Sequence, residues 1–274
     1  MNICFIGGGN MATALIGGLL GKGFAAQKIS VVEINADNRA QLQRNFAVRT
    51  VETVAEGITG SQIIILAVKP QQLREVATQL APVLSGQLLI SIAAGIRAVD
   101  LSRWTNSQSI VRAMPNTPAL IRSGMAGMYA LPAVSNSQRE EAQNILAAVG
   151  ETLWVRDETM LDAVTAISGS GPAYVFYFIE ALQRAARELG FNAEEARRLS
   201  LETFLGASKL AARSDEDAGV LRSRVTSKNG TTERALTSMD SNQVAEHIVQ
   251  AAIAAAARAR EMGDELGDKP GVNK

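Results

Sequence analysis

The sequence predicts an α/β fold in its first part and an all-α region after it, and two observations carry that reading. From residue 1 to about 155, short β-branched apolar runs alternate with stretches long enough for helices. Beyond "VRDET" such runs almost vanish, and Ala, Leu, Glu and Arg take over. Strands apolar on both faces and separated by helix-length segments imply βαβ units, hence a doubly wound, mostly parallel sheet between helix layers. The chain is therefore divided into residues 1–155 and residues 156–274.

The strands, in order, are "NICFIG", "KISVVEI", "SQIIILAV", "GQLLISIAAG", "QSIVRAM", "GMAGMYAL" and "ETLWV". "IVRAM" and "MAGMYAL" are joined by a Pro-rich turn too short for a crossover helix, so this pair is free to run differently from the rest. In the second part Pro172 has the place of a first-turn proline and Gly190 that of a C-terminal cap. "AYVFYFIEAL" between them is apolar on every face, as a central buried helix is. Asn192 opens another helix, and Ser241 or Asn242 a last long one. On that helix Val244, Ile248, Ala252, Ile253, Ala256 and Ala257 form a stripe that allows close helix approach, either inside the core or between subunits.

An apolar fraction of 47% over 274 residues supports a large core. Lys plus Arg (27) balance Asp plus Glu (27), which leaves no overall drive toward nucleic acid or an anionic membrane. A charged ligand must be held locally. The one cysteine, Cys4, excludes an intrachain disulfide and reads as a core thiol in a reducing compartment. Met1 and Asn2 lead straight into an apolar run without a basic leader, and no window holds the roughly 18 uninterrupted apolar residues of a membrane span. A cytoplasmic protein is expected.

"ICFIGGGNMATALIGGLL" sets Gly7, Gly9 and Ala12 in a G-x-G-x-x-A pattern between an apolar strand and a helix, the setting of a Rossmann-type dinucleotide loop. Gly7 permits the tight turn, Gly9 lets the backbone approach a pyrophosphate, and Ala12 keeps helix and strand close. Ile6, Gly7, Gly8, Gly9, Asn10, Met11 and Ala12 are the candidate cofactor contacts here, with unpaired N–H groups and the positive helix end facing the phosphates. Glu33 ends the second strand 21 residues past Ala12, near the spacing of about 20 at which an acid accepts from a ribose 2′-hydroxyl. That carboxylate repels a 2′-phosphate, whereas Asn35 and Arg39 can reach one if Glu33 turns away, so NADH and NADPH both stay open.

"ILAVKPQQL" sets Ala67, Val68, Lys69 and Pro70 at the C-terminal end of a strand, the edge where open α/β sheets bind ligands. "SIAAGI" brings Ala94 and Gly95 to that edge, small enough for a nicotinamide or its ribose to come close. "AMPNTPAL" adds Asn116 and Thr117 between two stiffening prolines. In the second part "VTSKNGTTERAL", Val225 to Leu236, is a polar turn feeding a helix that starts near Thr231. Consecutive N–H groups and the helix dipole there converge on an anion. Lys228 adds charge or is merely solvated. His247, the only histidine, lies within a predicted helix and reads as a packed or interface residue. No metal site is read from the sequence.

Taken together, "GGGNMATA", "AVKP", "IAAG", "MPNTPA", "SGSGPAYVF" and "VTSKNGTTERAL" resemble the pyrroline-5-carboxylate reductase family, in order along nearly the whole chain. The resemblance implies a Rossmann domain that binds NADPH or NADH and an all-α C-terminal dimerisation domain that interlocks two chains, sometimes with dimers assembled into rings. The implied reaction is reduction of the cyclic imine 1-pyrroline-5-carboxylate to L-proline. In that family the segment matching 225–236 usually reads S-P-G-G-T-T, and its backbone N–H groups hold the substrate carboxylate. Ser227, Asn229, Gly230, Thr231 and Thr232 are thereby implied as substrate-binding residues. Lys228 and Asn229 replace the usual Pro and first Gly, and Asn tolerates the positive φ of such a turn.

Glu216, in "SDEDAG", matches a carboxylate the family places near the ring nitrogen, and Thr232 can donate a hydrogen bond there. These two are the catalytic candidates. A β-hydroxyacid dehydrogenase shares the two-part plan, but its proton transfer relies on a lysine on the first long helix of the second domain, and Pro172–Leu189 contains none. A non-catalytic NAD(P)-binding sensor has no use for the polar 225–236 turn.

Overall fold

The structure is a computed structural model that describes residues 1–267; the remainder of the expected second region, 268–274, lies outside the described residues. Strands β1 (Ile3–Ile6), β2 (Ile29–Val32), β3 (Arg49–Val51), β4 (Ile63–Leu66), β5 (Leu88–Ser91), β6 (Ile110–Met114), β7 (Gly124–Ala130) and β8 (Gly150–Trp154) form one sheet in the order β3-β2-β1-β4-β5-β6-β7-β8. Every pairing is parallel except β6 with β7. That pair is joined by the short Pro-rich turn, which leaves no length for a crossover.

Helices α1 (Asn10–Gly21), α2 (Ala36–Phe46), α3 (Val54–Ile58), α4 (Pro70–Leu80), α5 (Ala98–Thr105) and α6 (Asn136–Leu146) connect the strands. Alternate residues of each central strand feed opposite faces. Ile3 and Phe5 of β1 join Leu15, Ile16 and Leu42 in one core, while Cys4 and Ile6 join Ile58, Leu73 and Leu101 in the other. Two covered faces explain why these strands read as unbroken apolar runs. Each such side chain, fully buried, contributes about 1.5–3 kcal/mol. β3 and β8 are the edge strands, and Arg49 of β3 is exposed.

After β8 come α7 (Met160–Val164) and a wide π-type turn, Thr165–Gly169, closed by the Ser170 N–H on the Thr165 carbonyl at 2.8 Å. Then follow α8 (Gly171–Glu188), α9 (Ala193–Ala212), α10 (Ala218–Arg224), α11 (Thr231–Ser241) and α12 (Val244–Leu266). Composition changes near residue 155, but packing divides the chain after Ser170: one unit is Met1–Ser170 with the residues from Ile253, the other Gly171–Ala252. The first turns of α12 thus belong to the second unit and its last turns to the first.

In the second unit α8 packs on α9. The chain turns between them at Gly190, φ +101, and Asn192 and Glu195 close a capping box on α9. Gly190 and Asn192 hold the places expected of them, and Pro172 lies in the first turn of α8. α8 departs from the expected buried helix: Ile179 alone is buried, while Phe176 and Tyr177 are 65% and 71% exposed. The apolar faces of these helices exceed what one chain covers, and an exposed surface of this kind marks an association face. Among the described residues no helix is long and apolar enough to cross a membrane.

Candidate active site

The strand order reverses direction of travel at β1 and β4, so the carboxyl ends of these two strands flank the crevice in which open sheets bind ligands. Ile6 ends β1. Gly7 follows with φ +100, and its N–H donates to the Val32 carbonyl at 2.8 Å. A Cβ on Gly7 would lie 2.6 Å from the Ala67 carbonyl oxygen, so both the backbone angle and the neighbour demand glycine. Gly9 differs: a Cβ there would meet nothing within 4 Å. Gly9 is the N-cap of α1, with no side-chain cap and no acid in the first turn. The N–H groups of Asn10, Met11 and Ala12 are those a helix start leaves without intrahelical partners. Open space beside an uncapped helix start fits a dinucleotide pyrophosphate.

Glu33, at the end of β2, turns its carboxylate back toward this loop. Oε2 accepts the Gly8 N–H at 3.0 Å and Oε1 the Asn35 N–H at 2.9 Å. Asn35 caps α2 by accepting the Asn38 N–H at 2.9 Å. Arg39 donates to the carbonyls of Glu33 at 2.7 Å and Ile34 at 2.9 Å, and pairs with Glu52 at 3.3 Å. Glu33, Asn35 and Arg39 are thus gathered at one corner beside Gly8.

Ala67 and Val68 leave β4 against Gly7. Lys69, exposed, is the N-cap of α4, with Pro70 in its first turn. Ala94 and Gly95 follow β5; Gly95 has φ +79 and is backed by Met262 and Gly263 of α12. The Asn116 amide is committed internally. Its Oδ1 accepts the Met125 N–H at 2.8 Å, and its Nδ2 donates to the Ser168 carbonyl at 3.1 Å and hydroxyl at 3.2 Å. It ties the start of β7 to the π-type turn, while Thr117 opens the 3-10 turn that follows.

Beside this edge lies an ion network that the sequence reading passed over. Arg112, 4% exposed, pairs with Glu158 at 3.0 Å, and Glu158 also accepts the Ala98 N–H at 2.6 Å. Asp100, fully buried, pairs with Arg97 at 2.9 Å and with Arg103. Arg97 also reaches Asp264 at 2.8 Å and the Gly263 carbonyl at 3.0 Å. Burial raises the pKa of Asp162 against the opposing pull of Arg112, Arg260 and Arg97. The signal available was an arginine inside the apolar strand "SIVRAM", since a charge is buried only with a partner. Burial also pushes the Cys4 thiol up to about 11, which marks it as a core residue rather than a nucleophile. Among the described residues no group of His, Cys, Asp and Glu is arranged to hold a metal ion.

In the second unit Asn229 adopts φ +61, the left-handed conformation expected of it. The Gly230 N–H donates to the Ser227 carbonyl at 3.0 Å, and Gly230 is the N-cap of α11 without a side-chain cap. The Asn229 N–H donates to Glu233 Oε2 at 2.6 Å. Ser227, Asn229, Gly230, Thr231 and Thr232 therefore meet at one helix start, and Asn229, Gly230, Thr231 and Arg234 line a groove along α11. Lys228 is exposed. Thr226 and Thr237 donate back to the Arg222 and Glu233 carbonyls at 2.6 and 2.9 Å. The Thr232 hydroxyl, half-buried, makes no hydrogen bond among the described residues. Glu216 pairs with Arg224, the last residue of α10, so its carboxylate is tied to the segment that enters the turn. His247 is exposed on α12.

Two family models match: pyrroline-5-carboxylate reductase dimerisation over residues 158–262, and NADP oxidoreductase, coenzyme F420-dependent, over residues 2–95. The chain is similar to the pyrroline-5-carboxylate reductase of Pseudomonas aeruginosa, 46% identical over 267 residues, which cover 97% of this chain and 98% of that protein. Among solved structures it is similar to a pyrroline-5-carboxylate reductase from Coxiella burnetii, with TM-score 0.91, 39% identity, and 95% and 98% of the two chains covered. It is also similar to Plasmodium falciparum pyrroline carboxylate reductase with NADP bound, with TM-score 0.86, 29% identity, and 96% and 98% covered. The helices with uncovered apolar faces are those the dimerisation model spans. Sequence, fold and that helical region agree along the whole length: the chain belongs to the pyrroline-5-carboxylate reductase family.

Proposed function

We propose that the chain reduces 1-pyrroline-5-carboxylate to L-proline with NADPH or NADH. The observation that carries this reading is the full-length likeness to a pyrroline-5-carboxylate reductase. Reducing a C=N bond needs a hydride donor, a hold on the substrate carboxylate and a proton on the ring nitrogen. The nicotinamide cofactor supplies the hydride when bound. The start of α1, from Gly7 to Ala12, holds its pyrophosphate, and Glu33, Asn35 and Arg39 meet its adenosine ribose. The turns at Ala67–Pro70 and Ala94–Gly95 border the remainder. Asn116 acts by fixing its loop, because its amide is already committed.

The substrate carboxylate sits at the start of α11, on the backbone N–H groups of Thr231 and Thr232, with Ser227, Asn229 and Gly230 shaping the turn through the Gly230 N–H on the Ser227 carbonyl. The Thr232 hydroxyl donates toward the reacting ring. Glu216, paired with Arg224, favours the cationic iminium form of the substrate. Hydride adds to the iminium carbon, the π electron pair passes to nitrogen, and the proton already on nitrogen stays there. Positioning and electrostatics then supply most of the acceleration. In this reading residues 1–155 bind cofactor and 156–274 bind substrate and pair two chains, as a dimer or a ring of dimers, in the cytoplasm.

The test is a spectrophotometric assay of NADPH and of NADH oxidation with and without 1-pyrroline-5-carboxylate. Substrate-dependent oxidation of at least one cofactor is expected. Oxidation of neither overturns the proposal, and light scattering of the same sample separates a dimer from a ring.

A further inference from the structure

We infer that the last turns of α12 position the Ala94–Arg97 turn, with Gly263 as the point of contact and Arg97 as the clamp. The inference rests on the proposed function, in which this turn borders the cofactor. Gly95 carries φ +79 and faces α12 directly: a Cβ on Gly95 would lie 3.2 Å from the Met262 Cβ. From the other side, a Cβ on Gly263 would lie 3.0 Å from the Gly95 carbonyl oxygen. Helix backbone and turn backbone touch because both residues are glycine.

Arg97 fastens the contact at three points. Its Nη2 donates to the Gly263 carbonyl at 3.0 Å, its Nη1 to Asp264 at 2.8 Å, and its Nε to Asp100 at 2.9 Å. The planar guanidinium serves a helix carbonyl and two carboxylates from three separate nitrogens in a fixed fork, a geometry the single nitrogen of a lysine does not reproduce. Asp100, fully buried, gives the clamp a fixed anchor. Past the turn, Glu158 accepts the Ala98 N–H at 2.6 Å and holds the start of α5. A pocket of about 260 Å³ borders Gly95 and Arg97, so the turn has room to shift when the helix contact changes. Reacting groups are sensitive to displacements well below the size of an atom, so a residue outside the crevice can act on the cofactor through this turn.

The test compares Gly263→Ala, Arg97→Lys and Asp264→Ala by kcat, KM for NADPH, KM for 1-pyrroline-5-carboxylate and Tm. Gly263→Ala presses a methyl on the Gly95 carbonyl; kcat/KM for NADPH is expected to fall about tenfold while KM for the imine stays within about twofold. Arg97→Lys should give the same selective loss at about threefold. A folded Gly263→Ala enzyme with kcat/KM for NADPH within about twofold of wild type overturns the inference. If Gly263→Ala does not fold, Asp264→Ala decides: its side chain is 60% exposed, and unchanged cofactor kinetics there overturn it equally. Ala94→Leu separates the two layers of argument. Unchanged KM for NADPH in Ala94→Leu removes the turn from the cofactor site, whereas a raised KM there with an unaffected Gly263→Ala removes only the positioning role.

Discussion

The Glu33 carboxylate accepts the Gly8 N–H at 3.0 Å, so a charged hydrogen bond joins the end of β2 to the glycine turn after β1. The same carboxylate that, in the proposed function, meets the ribose therefore also shapes the glycine turn proposed to hold the phosphates. Glu33→Ala is expected to improve KM for NADPH relative to NADH, because a negative charge leaves the place a 2′-phosphate would occupy. It should also cost about 1–2 kcal/mol, since two backbone N–H groups lose a charged acceptor. Glu33→Gln removes the charge but leaves one acceptor oxygen for the two N–H groups, so it should shift the cofactor ratio with a smaller loss of Tm than Glu33→Ala. An unaltered ratio of KM values in both variants sinks the electrostatic role.

The parts of this molecule legible in the sequence are those where one physical requirement maps on one residue type. β1, β2, β4 and β5 are covered on both faces, so they announce themselves as apolar runs; Gly7 is demanded by its φ and by Ala67. The antiparallel turn of β7 followed from the shortness of its Pro-rich link. Partners across the fold were not legible. Spacing put Glu33 at a strand end but not against Gly8, and the stripe read on α12, Val244 to Ala257, stops short of Gly263, which meets the Gly95 backbone. Arg112 and Glu158 lie 46 residues apart, and nothing local to either points to the other. α8 reads as a buried helix although one chain leaves most of it uncovered, because hydropathy does not distinguish a core from a subunit interface.

Asn229 occupies a left-handed position, the conformation glycine adopts most readily, and its φ of +61 predicts the order of its variants. Asn229→Gly should leave Tm and KM for the imine nearly unchanged. Asn229→Ala should cost about 1–2 kcal/mol of local strain, and a β-branched Asn229→Val more. Because the strain falls on the turn that leads into the Thr231 and Thr232 N–H groups, KM for 1-pyrroline-5-carboxylate should rise in the same order. A valine variant with wild-type KM removes the link between turn conformation and substrate binding.

Asp162 titrates with its pKa raised by burial, against the pull of Arg112, Arg260 and Arg97. A carboxyl held above its unfolded value, about 3.9, binds its proton more tightly in the folded state. The stability it contributes is full below the unfolded pKa and is lost as pH rises through the folded one. Asp162→Asn cannot ionise and escapes that loss. The Tm of Asp162→Asn minus that of wild type should therefore become more positive from about pH 4 to about pH 7. A difference that stays flat across that range contradicts the assignment.

Thr232 differs from its neighbours in what its hydroxyl is free to do. Thr226 and Thr237 return their hydroxyls to carbonyls one helical turn back, a local use that serves the backbone. Thr232 stands in the first turn of α11, half-buried, with no such bond among the described residues. If that hydroxyl meets the substrate where hydride arrives, removing it should act on the transition state more than on the folded chain. Thr232→Ala is expected to lower kcat/KM for 1-pyrroline-5-carboxylate by at least about tenfold, the loss of one hydrogen bond made during reaction. Its Tm should change little, because no intramolecular partner is orphaned. Thr232→Ser keeps the donor and should recover most of the activity, which a purely packing role for the methyl group does not predict. A Thr232→Ala enzyme within about twofold of wild type removes the Thr232 hydroxyl from the reaction; the substrate site then rests on the backbone N–H groups at the start of α11 alone.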